Sequence, residues 1–228
     1  MGGSQKEMKC VIFGGADIYD YSKICLPQEK CFVIAADRGY IHCEKLGIVP
    51  DVIIGDFDSL DKDVFDGIEN SSDYPQPIVY PSDKDYTDTF LAVKYACEHG
   101  SFSDFIIFGG TGGRFGHTFT NVQMLSYMKE KGLNCTLCDE NYELFVITSA
   151  DGKKYFPTED DDDYEYISLF AISDTAEIIL AGLKYSGRFT FDRKFSLGVS
   201  NKPLADATCR FAEVLSGEVL VVREKFRS

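Results

Sequence analysis

Val52-Ile53-Ile54-Gly55-Asp56-Phe57-Asp58-Ser59 is an apolar run that stops at a glycine and is followed at once by two carboxylates. A short continuous apolar segment bounded by turn residues reads as a buried strand. Asp-x-Asp directly behind such a strand places two hard oxygen donors on one tight turn. A third acid, Asp88, closes the segment Asp83-Lys84-Asp85-Tyr86-Thr87-Asp88. Asp56, Asp58 and Asp88 form an oxygen-only set that suits magnesium, an ion that takes few protein carboxylates and fills its shell with substrate phosphates and water. The pattern points to magnesium-nucleotide chemistry.

Outward from this stretch, residues 9–138 alternate short apolar runs with longer amphipathic segments, the signature of a parallel sheet with crossover helices. Strands are expected at Cys10 to Phe13, Cys31 to Ala35, Val52 to Gly55, Ile78 to Tyr80, Phe105 to Phe108 and Cys135 to Cys138. Helices are expected at Thr87 to His99 and Phe119 to Lys131, ending at Gly100 and Gly132. After about Asn141 the texture changes to period-two runs, at Tyr164 to Ala171, Ala176 to Leu180, Ala207 to Ala212 and Glu218 to Val222. The chain therefore divides into an α/β domain with a mostly parallel, Rossmann-like sheet over residues 1–140 and an all-β domain over 141–228.

At 228 residues and 44% hydrophobic content, the chain is long and apolar enough to bury a real core. Its formal charge of −14 opposes sequence-independent attraction to nucleic acid or anionic membrane and favours a cationic small molecule. The eight cysteines include Cys135-x-x-Cys138, but no second Cys or His pair follows at zinc-finger spacing, and several lie in apolar runs where a thiol behaves as a small hydrophobe. An acidic run at 159–163 lacks the ligand spacing of an EF-hand. No secretory h-region or stretch of about 18 apolar residues is present, and Lys6 breaks the acylation pattern begun by Gly2. A reduced, soluble, cytoplasmic protein is expected.

In a doubly wound sheet, ligands bind beyond the carboxyl ends of the strands. Gly14, Gly15, Asp37, Asp56, Asp58 and the glycines at 109, 110, 112 and 113 all follow expected strands. Caps and backbone reversals account for any one of them, but less readily for the whole set. Asp85 or Thr87 serves as N-cap of the helix that follows, while Asp88 serves an ion and Lys84 a phosphate beside unpaired backbone N–H groups. In Gly109-Gly110-Thr111-Gly112-Gly113-Arg114-Phe115-Gly116-His117, glycines such as Gly110 and Gly113 let backbone amides approach an anion. Arg114 supplies a fork for phosphate oxygens and His117 a titratable ring. The stretch is neither G-x-G-x-x-G nor a P-loop; a tight turn whose arginine pairs with a carboxylate is the alternative.

Taken together, AADRG at 35–39, GDFDS at 55–59, DKDYTD at 83–88, GGTGGRFGH at 109–117 and GVSN at 198–201 resemble the thiamine pyrophosphokinase family in order, spacing and overall length. The resemblance implies a nucleotide-binding α/β domain, a C-terminal β-sandwich that binds thiamine, and a homodimer with active sites between subunits. It implies that Asp56, Asp58 and Asp88 hold magnesium with Asp37 close by, that Lys84, Thr87, Thr111 and Arg114 handle ATP, and that Ser200 and Asn201 help to hold thiamine. One departure stands out: family members commonly carry Arg-x-Asp-His, and here Gly116 takes the aspartate's place. The chain also has no tryptophan to stack on thiamine.

The reaction so implied moves the β,γ-diphosphoryl unit of ATP to the thiamine hydroxyl, with attack at the β phosphorus, giving thiamine diphosphate and AMP. Asp37 and Asp85 are both candidates for the base. Three alternatives remain on sequence grounds. They are a pyrophosphokinase for another hydroxymethyl acceptor such as a pterin, a phosphatase with Asp56 as nucleophile, and a nucleotide or thiamine binder without catalysis.

Overall fold

The computed structural model describes residues 8–83, 85–157 and 164–225. The chain divides into two compact units, Met1–Glu140 and Asn141–Ser228. In the first unit the strands are β1 (Cys10–Phe13), β2 (Phe32–Ala36), β3 (Val52–Gly55), β4 (Ile78–Val79), β5 (Asp104–Phe108) and β6 (Asn134–Cys138). The helices are α1 (Gly39–Lys45), α2 (Lys62–Glu69), α3 (Asp88–His99) and α4 (Phe115–Glu130). The strands lie in the order β6-β5-β1-β2-β3-β4, and every pairing is parallel.

Register explains why these strands carry unbroken apolar runs. Phe13, Ala35 and Ile53 are cross-strand neighbours on one face and pack with Tyr40 and Cys43 of α1 and Ile68 of α2. Ile12 and Ile34, neighbours on the opposite face, are fully buried on the side where α3 lies against β1, β2 and β3. A strand covered by helices on both faces has no solvent side for polar residues, so alternation disappears. β1 pairs with β2 on one side and β5 on the other, and the chain order runs outward in both directions from it. The β1/β5 boundary is thus the topological switch point, where a crevice opens at the carboxyl ends of the strands.

The second unit contains β7 (Tyr142–Thr148), β8 (Lys153–Phe156), β9 (Tyr164–Ala171), β10 (Thr175–Ala181), β11 (Gly187–Asp192), β12 (Gly198–Asn201), β13 (Arg210–Ser216) and β14 (Glu218–Lys225). They form two antiparallel layers, β12-β9-β14-β7 and β11-β10-β13-β8. Ile167, Leu169, Val219 and Val221 of the first layer share a core with Ile178, Leu180, Ala212 and Val214 of the second. Period-two alternation is clean in β10 and β13, whereas β7, β9 and β14 each bury runs of three or four consecutive residues.

Most expected strands match to within a residue, while two differences have clear causes. The strand expected at Ala207 to Ala212 begins at Arg210, after a loop whose Leu204 carbonyl accepts from the buried Arg210 guanidinium. The helix expected from Phe119 starts a turn earlier, at Phe115, because its first turn carries no buried residue to mark the period. α1 and α2 are short and were not distinguished by periodicity. The acidic run at 159–163 lies outside the described residues.

Tight helix-on-strand packing at α1 is fixed by Gly39, where an added Cβ would lie 1.8 Å from the Phe13 carbonyl oxygen. Gly67, exposed inside α2, has nothing among the described residues within 4 Å of the same position. Gly39→Ala is therefore expected to lose about 1–3 kcal/mol or more through forced backbone displacement, whereas Gly67→Ala gains up to about 1 kcal/mol from helix propensity. Urea unfolding of the two variants beside the parent chain measures the contrast.

Candidate active site

The turns that follow β1, β2, β3 and β5, with the start of α3, wall a cleft of about 710 Å³ in the first unit. Each wall is positioned by a local rule. After β3 the chain turns at Phe57, which has φ +57 and drives its ring into the core 4.9 Å from that of Phe65. With Phe57 buried, Asp56 and Asp58 are left on the cleft side, and the Asp58 N–H donates to Asp56 Oδ1 at 3.3 Å. A buried aromatic between two acids is what makes Asp-Phe-Asp a rigid presenter of both carboxylates.

Asp37 follows β2 with φ +50, a left-handed conformation that aspartate tolerates better than most residues. Its backbone N–H donates to the Ile54 carbonyl at 2.8 Å, and its Oδ2 accepts from the Ser59 hydroxyl. Its Oδ1 is buried and finds no hydrogen-bond partner among the described residues. Thr87 is the N-cap of α3, accepting from the Phe90 N–H at 3.2 Å, so Asp88 occupies the first helical turn. Asp85, Thr87 and Asp88 all face the cleft.

Across the cleft, Gly110, Gly113, Arg114 and His117 form the wall after β5. Asn121, buried in α4, donates to the Gly110 carbonyl at 2.7 Å, and Thr118 donates to that of Gly112 at 3.1 Å. The wall after β1 is held by His42. The Ala16 carbonyl can only accept, so Nε2 (2.8 Å) carries the proton and Nδ1 accepts from the Tyr21 hydroxyl at 2.7 Å. Burial pulls the His42 pKa below its ordinary value, against the opposing bond to Ala16.

The cleft thus gathers Asp37, Asp56, Asp58, Asp85, Asp88, Thr87, Gly110, Gly113, Arg114 and His117. Thr111 does not face it: its side chain is buried and donates to Asp139 Oδ2 at 3.0 Å. Lys84 lies outside the described residues. Ser200 and Asn201 belong to the second unit. Ser200 is exposed at φ +56 on a register shift in β12, and Asn201 is buried, its amide bonded to both the N–H and the carbonyl of Tyr185. Sequence reading passed over Asp17, Arg38, Ser59 and Asn121, all of which line the cleft. Two of these stood in view, Arg38 beside Asp37 and Ser59 beside Asp58.

Among the described residues, no three His, Cys, Asp or Glu side chains close on a common point tightly enough to hold an ion by protein ligands alone. Magnesium asks for less, since one or two carboxylates with phosphate oxygens and water complete its shell. The all-oxygen lining supplied by Asp56, Asp58 and Asp88 fits that ion's chemistry.

The model of the thiamin pyrophosphokinase catalytic domain matches residues 26–137, a range that contains the cleft walls after β2, β3 and β5. A thiamine pyrophosphokinase of Bacillus subtilis (strain 168) is 33% identical over 160 residues, which is 69% of this chain and 71% of that protein. The chain belongs to the thiamin pyrophosphokinase family. A crystal structure of thiamine pyrophosphokinase from Bacillus subtilis superposes with a TM-score of 0.83 at 26% identity, over 96% of this chain and 100% of that one. The thiamin pyrophosphokinase of Geobacillus thermodenitrificans gives 0.80 at 27% identity, over 97% and 99%. Thiamin pyrophosphokinase structures therefore share the arrangement of elements that forms this cleft.

Asp37 and Asn121 separate function from fold. A buried carboxylate oxygen without a partner is a cost to the native state, and asparagine keeps both the positive φ and an acceptor for Ser59. Asp37→Asn is expected to leave the melting temperature unchanged or raise it. Asn121→Ala, which strands the Gly110 carbonyl, is expected to cost about 1–3 kcal/mol. Thermal unfolding followed by circular dichroism reads both.

Proposed function

We propose that the chain transfers the diphosphoryl group of ATP to the hydroxyl of thiamine, yielding thiamine diphosphate and AMP. The observation that carries this reading is the meeting, in one cleft at the switch point of a parallel sheet, of the acids after β2 and β3, the acids that open α3, and the glycine-rich turn with Arg114. Diphosphoryl transfer needs mainly positioning and neutralisation of phosphate charge, and these groups provide both.

Asp56, Asp58 and Asp88 would hold magnesium, which when bound withdraws charge from phosphate oxygens. The protein's own groups account for the rest. Backbone amides at Gly110 and Gly113 approach the phosphates closely, Arg114 forks onto their oxygens, and Thr87 and His117 border the same space. Lys84 belongs to this phosphate-binding set by its place in the motif. Asp37 or Asp85 accepts the proton of the attacking hydroxyl. Acidic walls also suit an acceptor that bears a permanent positive charge. Ser200 offers its hydroxyl to thiamine, and Asn201 contributes by fixing the backbone beside it, since its amide is engaged with Tyr185.

A homodimer and a cytoplasmic location belong to the same reading. The eight free cysteines agree with a reducing compartment, and among the described residues no helix is long and apolar enough to cross a membrane. Sedimentation equilibrium measures the number of chains in the assembly.

With thiamine, ATP and magnesium, the protein is expected to form AMP and thiamine diphosphate in equal amounts. Asp56→Asn is expected to lower that turnover at least about 100-fold, the loss typical of removing one charge-stabilising group, while the circular dichroism spectrum is retained. Turnover within a few-fold of the parent chain overturns the metal assignment, and AMP without thiamine diphosphate overturns the acceptor. At Gly116 an added Cβ meets nothing within 4 Å among the described residues, so their packing does not demand glycine there. Gly116→Asp, in the first turn of α4, is expected to stabilise the protein by about 0.5–1 kcal/mol through propensity and the helix dipole. A change in KM for thiamine but not for ATP in that variant would tie the position to the acceptor.

A further inference from the structure

We propose that Arg38 is a further phosphate-binding cation of the cleft, one that Asp17 competes for. The inference rests on the ATP-dependent reading above and adds a residue to which neither the motif pattern nor the resemblance gave a role.

The argument begins with charge. The described lining contains six carboxylates, at Asp17, Asp37, Asp56, Asp58, Asp85 and Asp88, and two fixed cations, Arg38 and Arg114. A polyphosphate entering such a space is repelled by these carboxylates, so each cation that borders it counts. Arg114 follows β5 and Arg38 follows β2, so the two stand on opposite sides of the β1 strand end. A phosphate chain laid over the switch point has one guanidinium to each side.

Arg38 also has unused donors. Its side chain is 43% exposed, and one Nη2 N–H reaches Asp17 Oδ1 at 3.2 Å. No described residue accepts from Nε or Nη1. A guanidinium carries five N–H donors in a planar fork suited to phosphate oxygens, and a single long bond to an exposed carboxylate leaves most of that fork available. The pair with Asp17 is exposed enough to be weak. A phosphate bearing more charge displaces it.

The backbone gives Arg38 a fixed origin. Asp37 holds positive φ beside it, and an added Cβ on Gly15 would lie 3.3 Å from the Arg38 Cβ. The stem is therefore placed against the β1 loop, while only the distal guanidinium is free to choose between Asp17 and a ligand.

Two substitutions with opposite expected signs test this. Binding of magnesium-ATP is measured by isothermal titration calorimetry on the full chain, and KM for ATP and for thiamine is measured beside it. Arg38→Ala is expected to weaken ATP binding about 10–100-fold, the loss of a charge-assisted hydrogen-bonding group, with KM for thiamine within about threefold. Arg38→Lys, which keeps the charge without the fork, falls between. Asp17→Asn is expected to tighten ATP binding, since it removes both a competitor for the guanidinium and a negative charge.

If Arg38 only pins the β1 loop, Arg38→Ala and Asp17→Asn weaken binding to the same extent and lower the melting temperature together. That result overturns the proposal, as does Arg38→Ala binding ATP within twofold of the parent chain. A parent chain that binds ATP but makes no thiamine diphosphate breaks the acceptor assignment alone, because the binding comparison still reads Arg38. A parent chain that binds no ATP overturns both.

Discussion

Close backbone approach between the ends of β1 and β5 is the constraint on which the cleft depends. The Gly14 N–H donates to the Phe108 carbonyl at 2.7 Å, and the Ala16 N–H donates to that of Gly109 at 3.0 Å. A Cβ on Gly14 would stand 2.6 Å from the Gly109 oxygen, and one on Gly109, at φ +61, would stand 2.5 Å from the Gly14 oxygen. No side chain larger than hydrogen fits on either side of this contact. Because the two turns are locked together at their roots, they diverge at their tips, and the crevice between them is where the acidic and glycine-rich walls meet.

The walls themselves carry features that a fold selected for stability alone would avoid. Asp37 and Phe57 hold positive φ, an Asp37 oxygen is buried without a partner among the described residues, and six carboxylates share one space. Like charges at such density repel one another, and left-handed non-glycine residues carry about 1–3 kcal/mol of strain each. The surroundings fix them nonetheless. Phe57 is seated in the core, and Asp37 is bracketed by Ile54 and Ser59. On the proposed reading a bound cation would relieve this repulsion, and the site would be organised for it in advance.

Much of this was legible in the residues. Apolar runs ending at glycine marked β1 and β3 to the residue, because a strand buried on both faces admits no polar interruption. The period-two runs of the second unit were equally plain at β10, where one face of each residue pair enters the shared core. α1 and α2 span only seven and eight residues, and a two-turn helix does not repeat its apolar period often enough to be distinguished from a loop. For the site, Asp-x-Asp after a strand and a glycine-rich turn before a helix announced an acidic wall and a glycine-rich wall at the strand ends, since residue chemistry and strand-end position suffice for that.

Orientation was another matter. Thr111 and Gly110 are adjacent in sequence, yet one side chain is buried against Asp139 while its neighbour's backbone faces the cleft; packing around α4 decides this. Asn201 reads as a ligand within its motif, but the tertiary structure engages its amide with Tyr185. Arg38 sat in plain sight beside Asp37 and acquired meaning only when β1 and β2 brought it into contact with Asp17 across the cleft wall. The sequence by itself determined the fold class, the family and the kinds of groups at the site, because strand burial, turn chemistry and residue type are local properties of the chain. Only the tertiary structure decided which side chains face the cleft and which serve the fold, because that choice depends on contacts between residues far apart in sequence.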